Sequence, residues 1–197
     1  MMNKLEFYYD CSSPWTYLAF EQVCQLGDVL EISWKPILVG GIFNSINPSV
    51  YAARENPIQA KLNYAQKDLR DWAKALNVQI GSPSVFPVNS AKAMRGAFVA
   101  AEESKLVMYS RLIFKAYWGD DQDISQLSIL KSVVEALQLN WEEFATKIES
   151  PSYKTLLRQN TDELIDRGGF GSPTYFLNGS DMFFGNDRID LMLKKIL

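Results

Sequence analysis

The sequence predicts an α/β domain, and the order of its elements supports this class. A strand, a helix and a second strand open the chain, and a helix, two strands and a helix close it. Between residues 48 and 148 helical patterns dominate and strand patterns vanish. An ordinary α+β domain would satisfy the same pattern, so the residues alone leave that alternative open.

The first strand is predicted from the alternating, aromatic run Leu5–Tyr9. A helix should begin at Pro14, because Ser13 suits the N-cap and a proline at the first helical position lacks only an N–H that would have had no partner. Apolar residues then recur at helical spacing as far as Gly27, and Val29–Trp34 alternates again, closed by Pro36. Two strands around one helix favour a parallel pair with a right-handed crossover.

The central helices are predicted from apolar residues three and four positions apart. They cover Ile58–Leu76, Ala91–Lys105, Met108–Trp118, Ser125–Leu137, Asn140–Ile148 and Ser152–Arg167. Strand patterns return in Thr174–Leu177 and Met182–Phe184, and the Asn178–Gly179 dipeptide between them favours a hairpin. A last helix should run from Asp187 to the end of the chain, with acidic residues early and lysines late.

Composition and charge exclude several classes of protein. The net charge of −3 argues against a general binder of nucleic acids or membrane surfaces. No apolar stretch approaches the ~20 residues of a membrane span, and the first ten residues lack the apolar segment of a signal peptide. We therefore expect a soluble, cytoplasmic protein with neither a nucleic-acid nor a membrane partner.

The chain contains no histidine and only two cysteines, Cys11 and Cys24. Ser–His–Asp and Cys–His catalysis, and metal sites built on histidine, are therefore excluded. Two cysteines are too few for a Cys₄ zinc site, and their spacing is not C-x-x-C, so we expect neither a metal nor a dithiol motif. A disulfide between them is improbable in a cytoplasmic protein.

Four segments carry a family resemblance when they are taken together. They are FYYDCSSPWTYLAFE, WKPILVGGIFNSINP, FPVNSAKAMRG and GGFGSPTYFLNGSDMFFGNDRIDLM. In this order they resemble 2-hydroxychromene-2-carboxylate isomerases and kappa-class glutathione transferases, which belong to the DsbA-like branch of thioredoxin folds. The resemblance implies a thioredoxin-like domain of residues 1–46 and 151–197, with an all-helical insertion of residues 47–150.

The resemblance also implies glutathione as cofactor and Ser13 as the catalytic residue. Ser13 stands where DsbA-like oxidoreductases carry the attacking cysteine, followed by Pro14 and Trp15. Its hydroxyl would hydrogen-bond the glutathione sulfur, and a thiol at a helix N-terminus has a lowered pKa. The alternative is that Ser13 only caps the helix.

Five further positions match glutathione-binding residues of the family. Asn47 would contact glutathione, the main chain of Ser172 would pair with its cysteinyl part, and Pro173 would be the cis-proline of the thioredoxin fold. Asn186 and Asp187 would bind the γ-glutamyl end, although Asp187 is also a suitable cap for the last helix.

Three other side chains have two possible roles each or a purely structural one. Lys35 is a candidate for a substrate carboxylate, with a solvated surface lysine as the alternative, and Arg95 is a weaker candidate for that role. Cys11 is expected to be a small buried apolar residue rather than a catalytic one.

The function implied is that of a glutathione-dependent isomerase acting on an intermediate of aromatic catabolism. Addition of the thiolate, opening of the ring, rotation about the former double bond and elimination of the thiolate would convert 2-hydroxychromene-2-carboxylate to the trans-benzylidenepyruvate. The alternatives are a kappa-like transferase or peroxidase, and a thioredoxin-like binding module without activity. A homodimer is expected because dimers are common among the family.

Overall fold

The computed structural model describes residues 2–196; the two outer limits of the predicted domains, residues 1 and 197, lie outside the described residues. Four strands form one mixed sheet in the order β2-β1-β3-β4. Their bounds are β1 Asn3–Tyr9, β2 Leu30–Pro36, β3 Thr174–Leu177 and β4 Asp181–Phe184. β1 runs parallel to β2 and antiparallel to β3, and β3 and β4 form a hairpin. The predicted parallel pair and hairpin are confirmed.

Ten helices surround this sheet in the described part of the chain. They are α1 Pro14–Val23, α2 Val39–Ser45, α3 Ser49–Glu55, α4 Gln59–Ala75, α5 Ala91–Glu102, α6 Leu106–Phe114, α7 Leu127–Ala136, α8 Trp141–Glu149, α9 Pro151–Asp166 and α10 Ile189–Leu193. A π-helical turn, Lys115–Gly119, extends α6, and a 3₁₀ turn, Asn186–Arg188, precedes α10. Within residues 2–196, no helix is both long and apolar enough to cross a membrane.

The structure differs from the sequence-based expectation at four helices. α3 was not among the predicted helices, and α10 begins at Ile189 and ends at Leu193 instead of running from Asp187 to the end of the chain. α1 ends at Val23, where the backbone N–H of Cys24 caps it, rather than continuing to Gly27. α2 was not expected, because Gly40 and Gly41 lie inside it and glycine costs about 1 kcal/mol relative to alanine in a helix interior. α2 nevertheless forms, with Val39 and Ile42 buried.

The apolar core lies on both faces of the sheet, as alternation along β1 requires. Phe7 and Tyr9 belong to a large cluster that includes Phe114 and Phe144 from the central helices. Tyr8 points to the other face, into a smaller cluster with residues of α2 and α9. The large cluster contains residues from both predicted domains, so the apolar core is continuous across the predicted domain limits. The division into a thioredoxin-like domain and a helical insertion stays a prediction.

Candidate active site

The loop from β1 to α1 presents Ser13 at the start of the helix. Ser13 is the N-cap, with extended backbone angles (φ −108°, ψ 124°). Its Oγ accepts a hydrogen bond from the Thr16 N–H at 3.3 Å and donates one to the Ser172 carbonyl at 3.3 Å. The hydroxyl therefore caps α1 and also joins it to the loop before β3.

The loop before β3 lies directly against this helix start. The peptide bond between Ser172 and Pro173 is cis, as the resemblance implied. The Ser172 hydroxyl is 2.8 Å from the hydroxyl of Thr16, and it accepts a hydrogen bond from the Asp10 N–H at 3.1 Å. These bonds fix the Ser172 main chain beside Ser13.

Asp10, at the end of β1, is completely buried and connects three segments around Ser13. Its carboxylate accepts hydrogen bonds from the Ser12 N–H at 2.9 Å, the Val39 N–H at 2.8 Å and the Ser90 hydroxyl at 3.0 Å. Burial raises the pKa of Asp10, and the hydrogen bonds from Ser12, Val39 and Ser90 oppose that rise. Asp10 therefore fixes the β1–α1 loop, the start of α2 and the start of α5 relative to one another.

A cavity of about 710 Å³ opens in front of Ser13, and we call it the main cavity. Its volume lies within the range of small-molecule sites. Five of the predicted glutathione-binding residues line it together: Ser13, Pro14, Trp15, Asn47 and Ser172. The structure therefore brings the first and last thirds of the sequence to one place.

Arg54 is the one charged side chain among the described residues that line the main cavity. Its guanidinium carbon lies 5.7 Å from the ring centre of Phe43 and 5.3 Å from that of Phe86. Both rings also line the cavity. Within residues 2–196 Arg54 has no ion-pair partner, so its charge is available to an anionic ligand.

The family model for DsbA-like thioredoxin domains matches residues 4–197. The chain belongs to this DsbA-like family. Consequently, the predicted thioredoxin-like fold is confirmed, with only helical elements between β2 and β3 in the described residues.

Relatives of this DsbA-like chain agree with that assignment. It is 28% identical to a 2-hydroxychromene-2-carboxylate isomerase of Pseudomonas putida, over 95% of this chain and 91% of the relative. It is 27% identical to glutathione S-transferase kappa 1 of Rattus norvegicus, over 95% and 88%. A solved 2-hydroxychromene-2-carboxylate isomerase structure gives a TM-score of 0.83 with 26% identity, covering 98% of this chain and 94% of that one. These relatives are enzymes, which confirms the prediction of an enzyme.

Asn47 lines the main cavity, but its side-chain amide already forms two hydrogen bonds within the protein. Its Nδ2 donates to the Phe170 carbonyl at 3.1 Å, and its Oδ1 accepts from the Ser49 hydroxyl at 2.8 Å. A ligand contact to this amide would replace or share one of these bonds.

Pro173, Asn186 and Asp187 are not among the residues that line the main cavity. Pro173 adjoins it and accepts the Gly185 N–H at 3.2 Å. Asn186 is buried, and its Nδ2 has no hydrogen-bond partner among the described residues. Asp187 forms an ion pair with Arg188 at 3.3 Å. The γ-glutamyl role of Asn186 and Asp187 therefore stays a prediction.

Lys35 lies away from the main cavity, and its role at a substrate carboxylate stays a prediction. Its Nζ lies 3.1 Å from a carboxylate oxygen of Glu163 and 4.0 Å from one of Glu6, and the residue does not line the main cavity. Lys35 lies in β2 opposite Tyr8, at a position set by the sheet register. Its charge is thus paired inside the fold, and a substrate carboxylate would have to compete with Glu163 for it.

The two cysteines are free and neither lines the main cavity. Cys11 is buried; its N–H donates to the Met94 sulfur at 3.3 Å, and its carbonyl accepts from the Trp118 indole at 2.8 Å. Burial raises the pKa of the Cys11 thiol well above its usual value and that of Cys24 to about 12. Neither thiol has the features of a nucleophile.

Sequence reasoning missed Asp10, Arg54, Phe43 and Phe86 as parts of the site. An acidic residue directly after a strand is a usable signal for Asp10. Phe43 in α2 and Phe86 in a loop lie inside two of the family-like segments but have no role assigned there, and Arg54 in α3 lies outside all four segments. Only the folded chain brings the three together.

Proposed function

We propose that this chain is a glutathione-dependent isomerase of the 2-hydroxychromene-2-carboxylate isomerase type. The observation that carries the proposal is the Ser13 hydroxyl, presented at the N-terminus of α1 and facing a cavity beside a cis-proline loop. A serine at this position cannot form a mixed disulfide, so the reactive sulfur has to come from the ligand.

The start of α1 can stabilise a thiolate without a histidine. Pro14 has no N–H, and within residues 2–196 the N–H of Trp15 makes no hydrogen bond. This free N–H, the Ser13 hydroxyl and the positive end of the helix dipole would favour the charged form of a nearby thiol. A hydrogen bond to a charged group contributes roughly 1.5–3 kcal/mol.

Ligand binding at the Ser172 carbonyl would also change the orientation of the Ser13 hydroxyl. It accepts the Ser13 hydroxyl in the structure. A cysteinyl N–H of glutathione that paired with this carbonyl, as an added strand would, would compete for the same oxygen. The Ser13 hydroxyl could then rotate toward the sulfur, so main-chain pairing and thiolate stabilisation would occur together.

The residues of the main cavity fit glutathione and an acidic aromatic substrate. Glutathione is an anionic tripeptide, and Arg54 can accept a carboxylate from it or from the substrate. Trp15, Phe43 and Phe86 offer aromatic surface to a bicyclic ring. Bound glutathione would supply the thiolate that adds to the substrate and is later eliminated, which leaves glutathione unchanged overall.

A kappa-like glutathione transferase or peroxidase is the second candidate, and the 27% identity to a kappa-class relative favours it. The same Ser13 environment would serve both reactions, because both begin with a thiolate. A binding module without activity is the third candidate.

We also propose a homodimer and a cytoplasmic location. Light scattering of the purified protein tests the homodimer, and cell fractionation tests the location.

The test uses purified protein with and without glutathione. We expect glutathione to raise the melting temperature, since a ligand that binds only the native state stabilises it. We also expect the ultraviolet spectrum of 2-hydroxychromene-2-carboxylate to change only when glutathione is present. Conjugation of chlorodinitrobenzene without isomerisation would favour the transferase.

Matched variants separate binding from chemistry. Ser13→Ala should keep a glutathione-dependent melting shift and lose isomerisation, whereas Ser12→Ala, which removes the neighbouring hydroxyl, should keep both. An unchanged substrate spectrum with wild type and glutathione would contradict the proposed reaction. Absence of any melting shift with glutathione would favour the module without activity.

A further inference from the structure

A second cavity of about 350 Å³ lies between α2, α5 and α9. Leu38 and Gly41 line it on one side and also line the main cavity on their other side. Leu157 and Ile165 of α9 supply apolar surface, and Arg95 of α5 supplies a buried charge. The proposed isomerase chemistry does not use this cavity.

Arg95 is unusual because it is buried and incompletely paired. The residue is only 6% exposed. Its Nε donates to the Ala91 carbonyl at 3.2 Å, and its Nη1 lies 3.7 Å from a carboxylate oxygen of Glu149. Within residues 2–196, neither Nη atom makes a hydrogen bond. Burial lowers the pKa of Arg95, and an arginine nevertheless stays protonated, so its charge lacks part of the compensation that buried charges require.

Glu149 does not neutralise this charge by itself, because it is shared among three cations. Lys92 lies at 2.7 Å and Lys154 at 3.6 Å from its carboxylate, both closer than Arg95. Lys92 does not line the second cavity, whereas Lys154 does.

Arg158 lies at the same cavity and forms no ion pair with another described residue. The lining therefore contains Arg95, Lys154 and Arg158 against a single carboxylate, that of Asp162. This excess of positive charge lies beside apolar side chains of the same cavity, although the net charge of the protein is negative.

We propose that the second cavity binds a small organic carboxylate with an apolar body, held through its carboxylate by Arg95 and Arg158. The free edge of an arginine guanidinium matches the two oxygens of a carboxylate. The apolar lining suits an aromatic or branched aliphatic body, and the volume is at the small end of the range for ligand sites. This inference is independent of the proposed reaction, because it requires neither Ser13 nor glutathione.

The test is isothermal titration of the full chain with sodium benzoate at constant ionic strength, with benzamide as the neutral analogue. We expect benzoate to bind and benzamide to bind about tenfold more weakly or not at all, since a charged hydrogen bond contributes about that factor. Saturating glutathione should leave benzoate binding unchanged. Inorganic phosphate, which has no apolar body, should bind more weakly than benzoate.

Variants locate the site. Arg95→Met should weaken benzoate binding about tenfold or more, and the exposed substitution Arg158→Gln about threefold. Lys131→Gln, which removes one positive charge from α7, should leave it unchanged, and Arg54→Met, which removes the cation of the main cavity, reports any benzoate that binds there instead. Circular dichroism shows whether Arg95→Met is folded. If Arg95→Met does not fold, Arg158→Gln still tests the site, because Arg158 is exposed.

Several results would overturn the proposal. They are no benzoate binding at millimolar concentration, equal binding of benzamide, and unchanged binding in Arg158→Gln. Loss of binding in Arg54→Met or displacement by glutathione would assign the anion to the main cavity instead. A failure of glutathione to bind would contradict the proposed function and leave this inference standing.

Discussion

Replacing Asp10 with asparagine should destabilise the fold and loosen the site. The carboxylate of Asp10 uses one oxygen for the Ser12 N–H and the other for the Val39 N–H and the Ser90 hydroxyl. An asparagine has one acceptor oxygen and one NH₂ group. In either orientation its NH₂ group faces a backbone N–H that loses its acceptor.

The magnitude follows from these contacts. A lost hydrogen bond to a charged acceptor costs roughly 1.5–3 kcal/mol, and a buried donor left without a partner adds about 1–3 kcal/mol. Removing a charge that burial disfavours offsets part of this cost. We therefore expect Asp10→Asn to lower the free energy of unfolding by about 2 kcal/mol, which corresponds to a melting temperature lower by roughly 4–8 °C in a chain of this size.

Urea denaturation followed by circular dichroism measures this change. Asp28→Asn is the matched control, because Asp28 is exposed in the loop before β2, and it should stay within about 0.5 kcal/mol of wild type. Wild-type stability for Asp10→Asn would refute the conclusion that this carboxylate holds the site together.

The pKa shift of Asp10 adds a pH dependence. Because its folded-state pKa lies above its ordinary value, the unfolded state releases its proton first as the pH rises. Stability contributed by the protonated form is therefore lost as the pH rises through the folded-state pKa. Asp10→Asn should lack this part of the pH profile, which unfolding at several pH values would show; an identical profile in both proteins would contradict the shift.

Three further predictions concern packing, thiols and charge. Gly96→Ala should lower the free energy of unfolding by about 1–3 kcal/mol in urea denaturation, since its Cβ would clash with the Tyr109 hydroxyl, whereas Gly27→Ala has open space around it. Both thiols should resist iodoacetamide at pH 8 until urea is added, because Cys24 with a pKa of about 12 is thiolate in roughly one molecule in ten thousand. Arg54→Met should weaken glutathione or substrate binding about tenfold in titration calorimetry; unchanged affinity would contradict its role.

The fold could be predicted where local chemistry decides it. Asn178 and Gly179 both have positive φ, 50° and 83°, and lie in the loop of residues 178–180 between the paired Leu177 and Asp181, so the dipeptide alone indicated the β3–β4 pair. Ser13 with Pro14 likewise marked the start of α1. In contrast, α2 could not be predicted, because its two glycines give the segment a low helix propensity. Burial of Val39 and Ile42 in the folded protein outweighs that low propensity.

The site could be predicted only where residues lie in a motif. Ser13 and Ser172 were found because each stands in a recognisable segment. Arg54 was missed, because its importance comes from the absence of other charges around the main cavity, which is a property of the folded surface. The ion pair of Lys35 could not be predicted either, since the carboxylate of Glu163 that pairs with it is 128 positions away in the chain.

The central claim is that Ser13 stabilises the thiolate of bound glutathione. The most direct measurement is the ultraviolet absorbance of that thiolate as a function of pH, in wild type, Ser13→Ala and the control Ser12→Ala. A hydrogen bond of roughly 1.5–3 kcal/mol corresponds to about 1–2 pKa units. We predict that the pKa of bound glutathione rises by that amount in Ser13→Ala and does not change in Ser12→Ala. An equal thiol pKa in wild type and Ser13→Ala would contradict the account.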